Sequence, residues 1–252
     1  MRLFSKKEHN ITYASLSKVG NKENNEDYIM ISSEDKEGCF ILADGLGGHG
    51  SGEVASQLVC ENAISVYWEN NFDDIKEYLK TAFETSQQKL LDEQKEKQEL
   101  NGMKTTMVAA VIHDSCLQWA HIGDSRLYLF KNDKIKTRTL DHSLPQMLVF
   151  AKEIKEEDIR FHPDRNRLLR VMGTPWNAQS YEISSKYPVA DNYSFLICSD
   201  GFWELIDEKD MCAMLKKAHS VEEWLTAMQK IVEENGKDKE MDNYSAICGW
   251  IR

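Results

Sequence analysis

The sequence predicts an α+β protein in which two antiparallel sheets pack together and are covered by helices. Several short strand-like runs follow one another through tight turns, and helical segments enter the chain in pairs between them. Strands joined by two-residue turns pair in antiparallel fashion, so antiparallel sheets are expected. The sequence shows no repeats and no domain boundary, and we expect residues 1–252 to form a single domain.

The N-terminal half predicts three strands followed by two helices. The strands are expected at 11–17, 28–32 and 39–43. The third of these is almost wholly apolar, which predicts a central and buried position. After a glycine-rich turn at 45–52, apolar residues at four-residue spacing predict a helix over 53–68. A second helix is expected to begin near Asp73, because acidic side chains are favourable at the positive end of the helix dipole.

The rest of the chain predicts a strand-rich centre and a helical C-terminal part. Strands are expected at 107–113, 116–122, 125–131, 134–139, 180–184, 193–198 and 245–251. The pairs at 114–115 and 132–133 are typical of hairpin turns. Helices are expected at 208–218 and 220–236. The second of these begins with a capping box formed by Ser220 and Glu223.

Charge and composition exclude several classes of function. The formal net charge of −11 disfavours binding to nucleic-acid phosphates and to anionic membrane surfaces. No stretch is apolar over the length that a membrane span needs, and residues 1–10 lack the apolar segment of an export signal. The six cysteines are scattered singly, which is typical of reduced thiols in a cytosolic protein. We therefore expect a cytoplasmic protein with neither nucleic acid nor a membrane as its main partner.

Aspartates at the ends of apolar strands are the candidate reactive groups. Asp44 and Asp200 each follow an apolar strand, and Asp242 comes just before the last strand. Each motif alone is more often a simple turn. Strand ends on one rim of a sheet would, however, bring the three carboxylates together, and like charges at that distance need a cation between them. Oxygen ligands without His or Cys favour Mg²⁺ or Mn²⁺ over Zn²⁺.

An ordered series of short motifs runs along nearly the whole chain. The motifs lie at 20–27, 43–49, 102–106, 122–126, 141–143, 162–166 with Gly173, 198–201 and 242–243. This series resembles the metal-dependent Ser/Thr protein phosphatases of the PPM, or type 2C, family, particularly its bacterial branch. The stretch 145–173 also resembles phosphatases encoded beside Ser/Thr kinases in bacterial type VI secretion clusters. The family resemblance implies a four-layer α-β-β-α sandwich, with two antiparallel sheets flanked by helix pairs.

The resemblance implies a centre of two Mn²⁺ or Mg²⁺ ions. Asp44 would bridge both ions, and the Gly45 carbonyl would bind the second ion. Asp200 and Asp242 would complete the protein ligands of the first. Two such ions can share a water molecule and convert it to hydroxide near neutral pH. This hydroxide would attack the phosphorus of phosphoserine or phosphothreonine in line, with no phosphoenzyme.

The resemblance also suggests acidic residues around this centre. Glu26 and Asp27 would act mostly through metal-bound waters. Asp124 resembles an aspartate that helps to hold a third, weaker metal ion in the family. The alternative is that Asp124 is a hairpin residue that pairs with Arg126.

The chain departs from the family pattern at three positions, one of which is Lys104, which replaces a small residue before Thr105 and Thr106. Lys22 stands where the family usually has an arginine that grips the substrate phosphate, and a lysine contact would be weaker because it lacks the bidentate fork. The alternative for Lys22 is a solvated loop lysine. Leu46 stands where animal members have a histidine proposed as the leaving-group acid, so water would serve instead; we expect His49 to be neither ligand nor catalyst. Thr105 and Thr106 are expected to support the site by hydrogen bonds.

Residues 141–175 correspond to the family's flap beside the active site. This segment carries arginines at 160, 165, 167 and 170 in an otherwise acidic protein. One interpretation is that they dock phosphorylated protein segments, and the other is that they pair with local acids such as Asp158 and Asp164. The partners that the resemblance implies are phosphorylated proteins, the products of a cognate Ser/Thr kinase.

Two other functions fit the sequence less well. Glycines at 45, 47 and 50 have the outline of a dinucleotide-binding fingerprint. That fingerprint needs a strand after the first helix, whereas a second helix is predicted here, and Asp44 would repel a pyrophosphate. A catalytically weak relative that acts as a phosphoprotein-binding module should have lost metal-binding aspartates, and the main ones are all present.

Overall fold

The computed structural model describes residues 10–47, 51–69, 72, 74–97, 102–189 and 192–252. Its strands are β1 (Ile11–Lys18), β2 (Asp27–Glu34), β3 (Glu37–Leu46), β4 (Lys104–Thr105), β5 (Met107–His113), β6 (Cys116–Ile122), β7 (Arg126–Lys131), β8 (Lys134–Arg138), β9 (Glu182–Ile183), β10 (Tyr187–Pro188), β11 (Tyr193–Cys198) and β12 (Tyr244–Ile251). Its α-helices are α1 (Ser51–Glu69), α2 (Ile75–Glu96), α3 (Leu144–Phe150), α4 (Asp200–Trp203), α5 (Glu208–Lys217) and α6 (Val221–Gly236). A 3-10 helix covers Glu156–Phe161.

The strands form two antiparallel sheets. One sheet has five strands in the order β1-β12-β11-β7-β8. The other has seven strands, of which β10-β6-β5-β3-β2 form the main path, while β4 pairs with β3 and β9 pairs with β6. The predicted α+β class and antiparallel pairing are confirmed.

Side chains along β3 alternate between two buried surfaces. Cys39, Ile41 and Ala43 pack in the core that α1 and α2 share with the seven-stranded sheet. Phe40 and Leu42 point the other way, into the core between the two sheets. Successive side chains of a strand face opposite sides of the sheet, so a strand that is covered on both sides must be apolar throughout. The apolar run at 39–43 follows from this requirement.

The five-stranded sheet is covered in the same way. Ala246 and Cys248 of β12 pack in the core shared with α5 and α6. Ile247 and Ile251 of the same strand face the other sheet. The layers are therefore α1 with α2, the seven-stranded sheet, the five-stranded sheet, and α5 with α6, which is the expected four-layer sandwich. None of the described helices is both long enough and apolar enough to cross a lipid bilayer.

The main error in the predicted strands lies at 180–184. Only Glu182 and Ile183 form a strand there, β9, and the two-residue strands β4 and β10 were not predicted. Both β9 and β10 pair with β6 at the edge of the sheet, over two residues each. The Ser184 N–H donates a hydrogen bond to the carbonyl of Trp119, but the β9–β6 ladder does not continue beyond it. Such short edge pairing leaves little periodicity in a sequence.

A buried ion pair ties the start of segment 141–175 to β7. The Arg126 guanidinium donates hydrogen bonds of 2.9 and 2.7 Å to the two carboxylate oxygens of Asp141. The same guanidinium lies 3.4 Å from the ring centre of Trp203. Arg126 therefore pairs with Asp141 and not with Asp124, so the alternative assignment of Asp124 as the partner of Arg126 was wrong.

Three further arginines hold this segment to the body of the protein. Their ion pairs are Arg160–Glu208, Arg165–Glu204 and Arg170–Glu182, at 2.7, 2.9 and 3.7 Å. The prediction of Asp158 and Asp164 as partners was wrong, because the acids come from outside the segment. Asp158 instead accepts a hydrogen bond from the backbone of Lys155 at the start of the 3-10 helix. Arg167 is exposed.

The buried ion pair generates a stability prediction. Arg126→Met leaves the buried Asp141 carboxylate with only Arg138, whose Nη1 lies 3.5 Å away, and we expect it to lower the free energy of unfolding by about 3 kcal/mol. The double variant Arg126→Met/Asp141→Asn should lose clearly less than the sum of the two single variants. Urea denaturation of all four proteins measures this coupling. Additive losses would contradict the pairing.

A second prediction concerns the contact between β12 and β11. A side chain at Gly249 would overlap the ring of Phe195, which also contacts Phe40 at a centroid distance of 4.9 Å. We expect Gly249→Ala to lower the free energy of unfolding by about 1–3 kcal/mol, because the added methyl group would overpack this core. Gly102→Ala is the control, since a side chain there meets nothing within 4 Å. Equal effects of the two variants on urea denaturation would refute this explanation.

Candidate metal centre

Asp44, Asp200 and Asp242 come from distant parts of the chain and line one pocket. Its cavity volume is about 190 Å³. Its lining residues are Lys22, Glu26, Asp44, Gly45, Leu46, Gly47, Asp124, Asn166, Leu168, Asp200, Asp242 and Asn243. Of the residues for which the sequence predicted a role at the metal ions, only Asp27 is absent from this lining. No His or Cys is present among these lining residues, so the donors are oxygen atoms.

The aspartates are supplied by both sheets. Asp44 lies within β3 of the seven-stranded sheet. Asp200 opens α4 two residues after the end of β11, and Asp242 lies two residues before β12; both of these strands belong to the five-stranded sheet. The expectation that these strand ends share one rim of a sheet was therefore wrong. The stacking of the two sheets, rather than strand pairing, brings the carboxylates together.

Two threonines fix the backbone of Asp44. The Asp44 N–H donates to Thr106 Oγ1 at 3.0 Å, and the Thr106 N–H donates to the Asp44 carbonyl at 2.8 Å. The Thr105 hydroxyl donates to the same carbonyl at 2.8 Å. These bonds leave the Asp44 carboxylate free to face the pocket. The structure confirms the supporting part expected of Thr105 and Thr106.

Gly45 allows β3 to approach the first turn of α1. A side chain at this position would overlap the carbonyl of Gly52 and would lie 2.8 Å from the carbonyl oxygen of Glu26. The Gly45 N–H donates to that Glu26 carbonyl at 3.0 Å. The backbone of residue 45 therefore sits at the pocket with no room for a side chain.

Asn243 positions the loop that carries Lys22 and Glu26. Its Oδ1 accepts a hydrogen bond of 2.8 Å from the Glu26 N–H. Its Nδ2 donates to the carbonyls of Val19 and Asn24, at 2.8 and 3.0 Å. The motif at 242–243 predicted a metal ligand at Asp242 and no role for Asn243. The positioning part of Asn243 could not be seen without the fold, because its partners lie more than 200 residues away.

Asp27 lies behind the pocket instead of lining it. It faces Asp44 across the β2–β3 ladder and is 5% exposed. Its Oδ2 accepts a hydrogen bond of 2.8 Å from Ser199, the residue before Asp200. Its Oδ1 has no hydrogen-bond partner among the described residues. Burial raises the pKa of this carboxyl group to about 7.

Burial and mutual repulsion raise the pKa of the clustered carboxyl groups. Burial, followed by the charge of Asp242, raises the pKa of Asp200 to about 6. Burial also raises the pKa of Asp44 and of Asp124 well above the ordinary value for aspartate, and neighbouring aspartates add to the shift. A set of crowded oxygen donors of this kind fits hard divalent cations, which would remove the repulsion.

Lys22 lies at the edge of the pocket. Its Nζ is 3.1 Å from Asp242 Oδ2, and its side chain is 50% exposed. Burial works to lower the pKa of Lys22, but the hydrogen bond and charge of Asp242 raise it overall. Lys22 is therefore a paired cation at the metal pocket. Leu46 also lines the pocket, whereas His49 lies outside the described residues.

A second group of potential ligands, His121, His142 and Glu182, lies outside this pocket. Their nearest ligand atoms are all within 4.8 Å of one another. The Gly123 N–H donates to His142 Nδ1 at 3.2 Å, so neutral His142 carries its proton on Nε2, which faces Glu182 at 3.4 Å. The two histidine rings stack at 4.7 Å instead of converging on one point. The group fits a packing contact between β6 and the start of segment 141–175.

Comparisons with known proteins agree with this geometry. The family model described as Protein phosphatase 2C matches residues 16–244. The serine/threonine phosphatase stp of Listeria innocua is 32% identical over 199 residues, which are 77% of this chain and 78% of that protein.

Solved structures extend the comparison to the fold. The catalytic domain of the serine/threonine protein phosphatase PstP, solved with two manganese ions, has a TM-score of 0.82 and 25% identity, over 96% of this chain and 99% of that one. PppA of Pseudomonas aeruginosa, a regulatory component of its type VI secretion system, has a TM-score of 0.78 over 97% of this chain and 100% of that one. At 22% identity it shows the shared fold alone. Together, the family match and the sequence identity show that this chain is an enzyme of the protein phosphatase 2C family.

Proposed function

We propose that this protein hydrolyses phosphoserine and phosphothreonine on protein substrates with the help of Mn²⁺ or Mg²⁺ ions. The observation that carries the proposal is the convergence of Asp44, Asp200 and Asp242 in one pocket, where Lys22 is the single cationic side chain among the lining residues. The family membership and the serine/threonine phosphatase named among its relatives support the reaction. The manganese-bound relative supports the cofactor.

Each acidic residue has a distinct place in the proposed site. Asp44 would bridge two ions, the Gly45 carbonyl would bind one of them, and Asp200 and Asp242 would bind the other. When bound, such ions lower the pKa of a shared water to supply the hydroxide nucleophile and screen the phosphoryl oxygens. The fold contributes rigidity, because hydrogen bonds from Thr105 and Thr106 fix the backbone of Asp44 at the pocket.

Glu26, Asp27 and Asp124 are proposed to act around this pair of ions. Glu26 lines the pocket and would hold metal-bound waters, and the unpartnered Oδ1 of Asp27 could accept from such a water. Asp124 would help to bind a third ion. Its carbonyl accepts a 3.0 Å hydrogen bond from the Trp203 indole, which leaves its side chain at the pocket.

Lys22 is proposed to contact the substrate phosphate. Its position at the edge of the pocket, beside Asp242, supports this assignment. A lysine offers a point charge without the bidentate fork of arginine, so the contact would be weaker than an arginine contact.

Segment 141–175 is proposed to act as the flap that contacts phosphorylated proteins within a single domain of residues 1–252. Asn166 and Leu168 of this segment line the metal pocket. Several large apolar side chains of the segment are exposed, namely Met147, Phe150, Phe161 and Leu169. Three of its arginines are engaged in ion pairs, so Arg167 is the flap arginine best placed for docking. The partner kinase and a link to type VI secretion remain predictions.

The assignment of Asp44 generates a test of the reaction. We expect Asp44→Asn to reduce kcat by about 100-fold or more on p-nitrophenyl phosphate and on a phosphothreonine peptide, because the bridging charge is lost. Assays run with Mn²⁺, with Mg²⁺ and with a chelator should show activity only in the presence of metal. Asp238→Asn, at an exposed position, is the charge-matched control.

Two outcomes would contradict the proposed function. Near-parental activity of Asp44→Asn would refute its bridging position. A parent protein that binds the phosphothreonine peptide but hydrolyses neither substrate with any metal would favour the alternative of a phosphoprotein-binding module.

The assignment of Lys22 generates a separate test. We expect Lys22→Ala to raise KM for the phosphothreonine peptide by roughly five- to tenfold with little change in kcat, because an exposed charge-assisted contact is lost. Lys22→Arg should keep KM at or below the parental value, since it restores the bidentate fork. Steady-state kinetics of the three proteins measure both constants. A large fall in kcat of Lys22→Ala with an unchanged KM would show that Lys22 does not act by binding phosphate.

A further inference from the structure

A cavity of about 450 Å³ lies away from the metal pocket, between the β2–β3 hairpin and the helices α1 and α2. Its wall is aromatic, and carboxylates and a histidine stand among the lining residues. The aromatic residues are Tyr67, Trp68, Phe72 and Tyr78, and the acidic ones are Glu34 and Glu37. None of its lining residues also lines the metal pocket.

The β2–β3 ladder gives the separation of the two sites. Asp27 pairs with Asp44 at the metal end of the hairpin, and Glu34 pairs with Glu37 at the other end. At about 3.3 Å per residue, the seven residues from Asp27 to Glu34 span roughly 23 Å. A molecule in the aromatic cavity would therefore not touch the reacting phosphate.

The aromatic wall is fixed in place. Trp68 is 62% exposed, yet its indole N–H donates a 3.0 Å hydrogen bond to the Ser32 hydroxyl, which holds the ring at the cavity. Tyr78 is fully buried and makes edge-to-face contacts with Tyr67 and Phe72, at centroid distances of 5.5 and 5.2 Å. A ligand would meet ordered ring faces and would not have to order them itself.

The carboxylates give the cavity a negative field. Glu37 lies 2.8 Å from His113 Nδ1, which fixes the position of its carboxylate. Burial raises the pKa of Tyr67 to about 12, and the charges of Cys39, Glu37 and Glu34 add to this shift, so the negative field of the two glutamates reaches the ring. Aromatic faces combined with carboxylates attract cations, and a planar guanidinium stacks on such rings best. An anionic ligand would be repelled.

We propose that this cavity binds an arginine side chain of a basic segment on a partner protein. The guanidinium would stack on the exposed Trp68 indole while Glu34 and Glu37 accept its N–H groups. The net charge of −11 favours the approach of a basic partner. An apolar partner is disfavoured, because its binding would desolvate the two carboxylates without pairing them.

A titration followed by NMR tests the proposal. The probe is a peptide of sequence Gly-Arg-Gly-Arg-Gly with blocked ends, and its control has citrulline, which keeps the shape of arginine but carries no charge. In ¹⁵N-labelled protein the indole N–H signal of Trp68 is identified by its loss in Trp68→Phe. We expect a saturable shift of this signal with the arginine peptide and none with the citrulline peptide.

Two matched double variants distinguish the effect of the charges at the cavity on peptide binding from the effect of the overall charge of the protein. We expect Glu34→Gln/Glu37→Gln to weaken binding of the arginine peptide by about fivefold or more. Glu222→Gln/Glu234→Gln makes the same change of charge on α6, which packs on the other sheet, and should leave binding nearly unchanged. Hydrolysis of p-nitrophenyl phosphate should be unaltered in both double variants. A failure of the arginine-binding proposal can therefore be told apart from a failure of the proposed phosphatase activity.

Each of the following results would overturn the proposal. An unmoved Trp68 signal would show that the cavity does not bind arginine, and equal shifts with citrulline would show an apolar site. Equal weakening by the two double variants would show attraction by the overall charge alone. A Trp68 signal that moves with protein concentration in the absence of peptide would identify a second copy of this chain as the occupant.

Discussion

Repulsion among crowded carboxylates is the constraint on which the site of this protein depends. Burial and neighbouring charges raise the pKa of Asp200 to about 6 and also raise the pKa of Asp44 well above the ordinary value for aspartate. Groups that repel one another stay together only if the surrounding fold holds them there. Thr105 and Thr106 hold Asp44, and the amide of Asn243 holds Glu26, through hydrogen bonds to the backbone. The carboxylate groups therefore stay available to bind metal ions.

Much of the fold could be predicted because burial on two faces imposes a pattern on the sequence. The run at 39–43 is apolar at every position because its alternate side chains enter two different cores. The edge strands β9 and β10 carry no such demand, so β9 was predicted too long, at 180–184, and β10 was not predicted. The hairpin turns at 114–115 and 132–133 were visible because their residues adopt positive φ, which Asn, Asp and a few other residues tolerate.

The candidate site could be predicted residue by residue but not in its arrangement. The sequence predicts Asp44 and Asp242 beside strands, but it does not show that the two strands belong to different stacked sheets. The same limit explains the errors in charge pairing. One of the two interpretations of Asp124 paired it with its neighbour Arg126, whereas the fold brings Asp141 to Arg126 from 15 residues away. Proximity in sequence is a poor guide to ion pairs that join separate elements.

The pairing of the first strand of the chain with the last one has a consequence for biosynthesis. β1 pairs along its whole length with β12, from Ile11 opposite Ile251 to Lys18 opposite Tyr244. The loop that follows β1 is secured by Asn243, which emerges from the ribosome more than 200 residues later. A nascent chain therefore lacks a complete pocket until translation has passed residue 243. Until then, the newly made enzyme cannot act on the phosphoproteins around it.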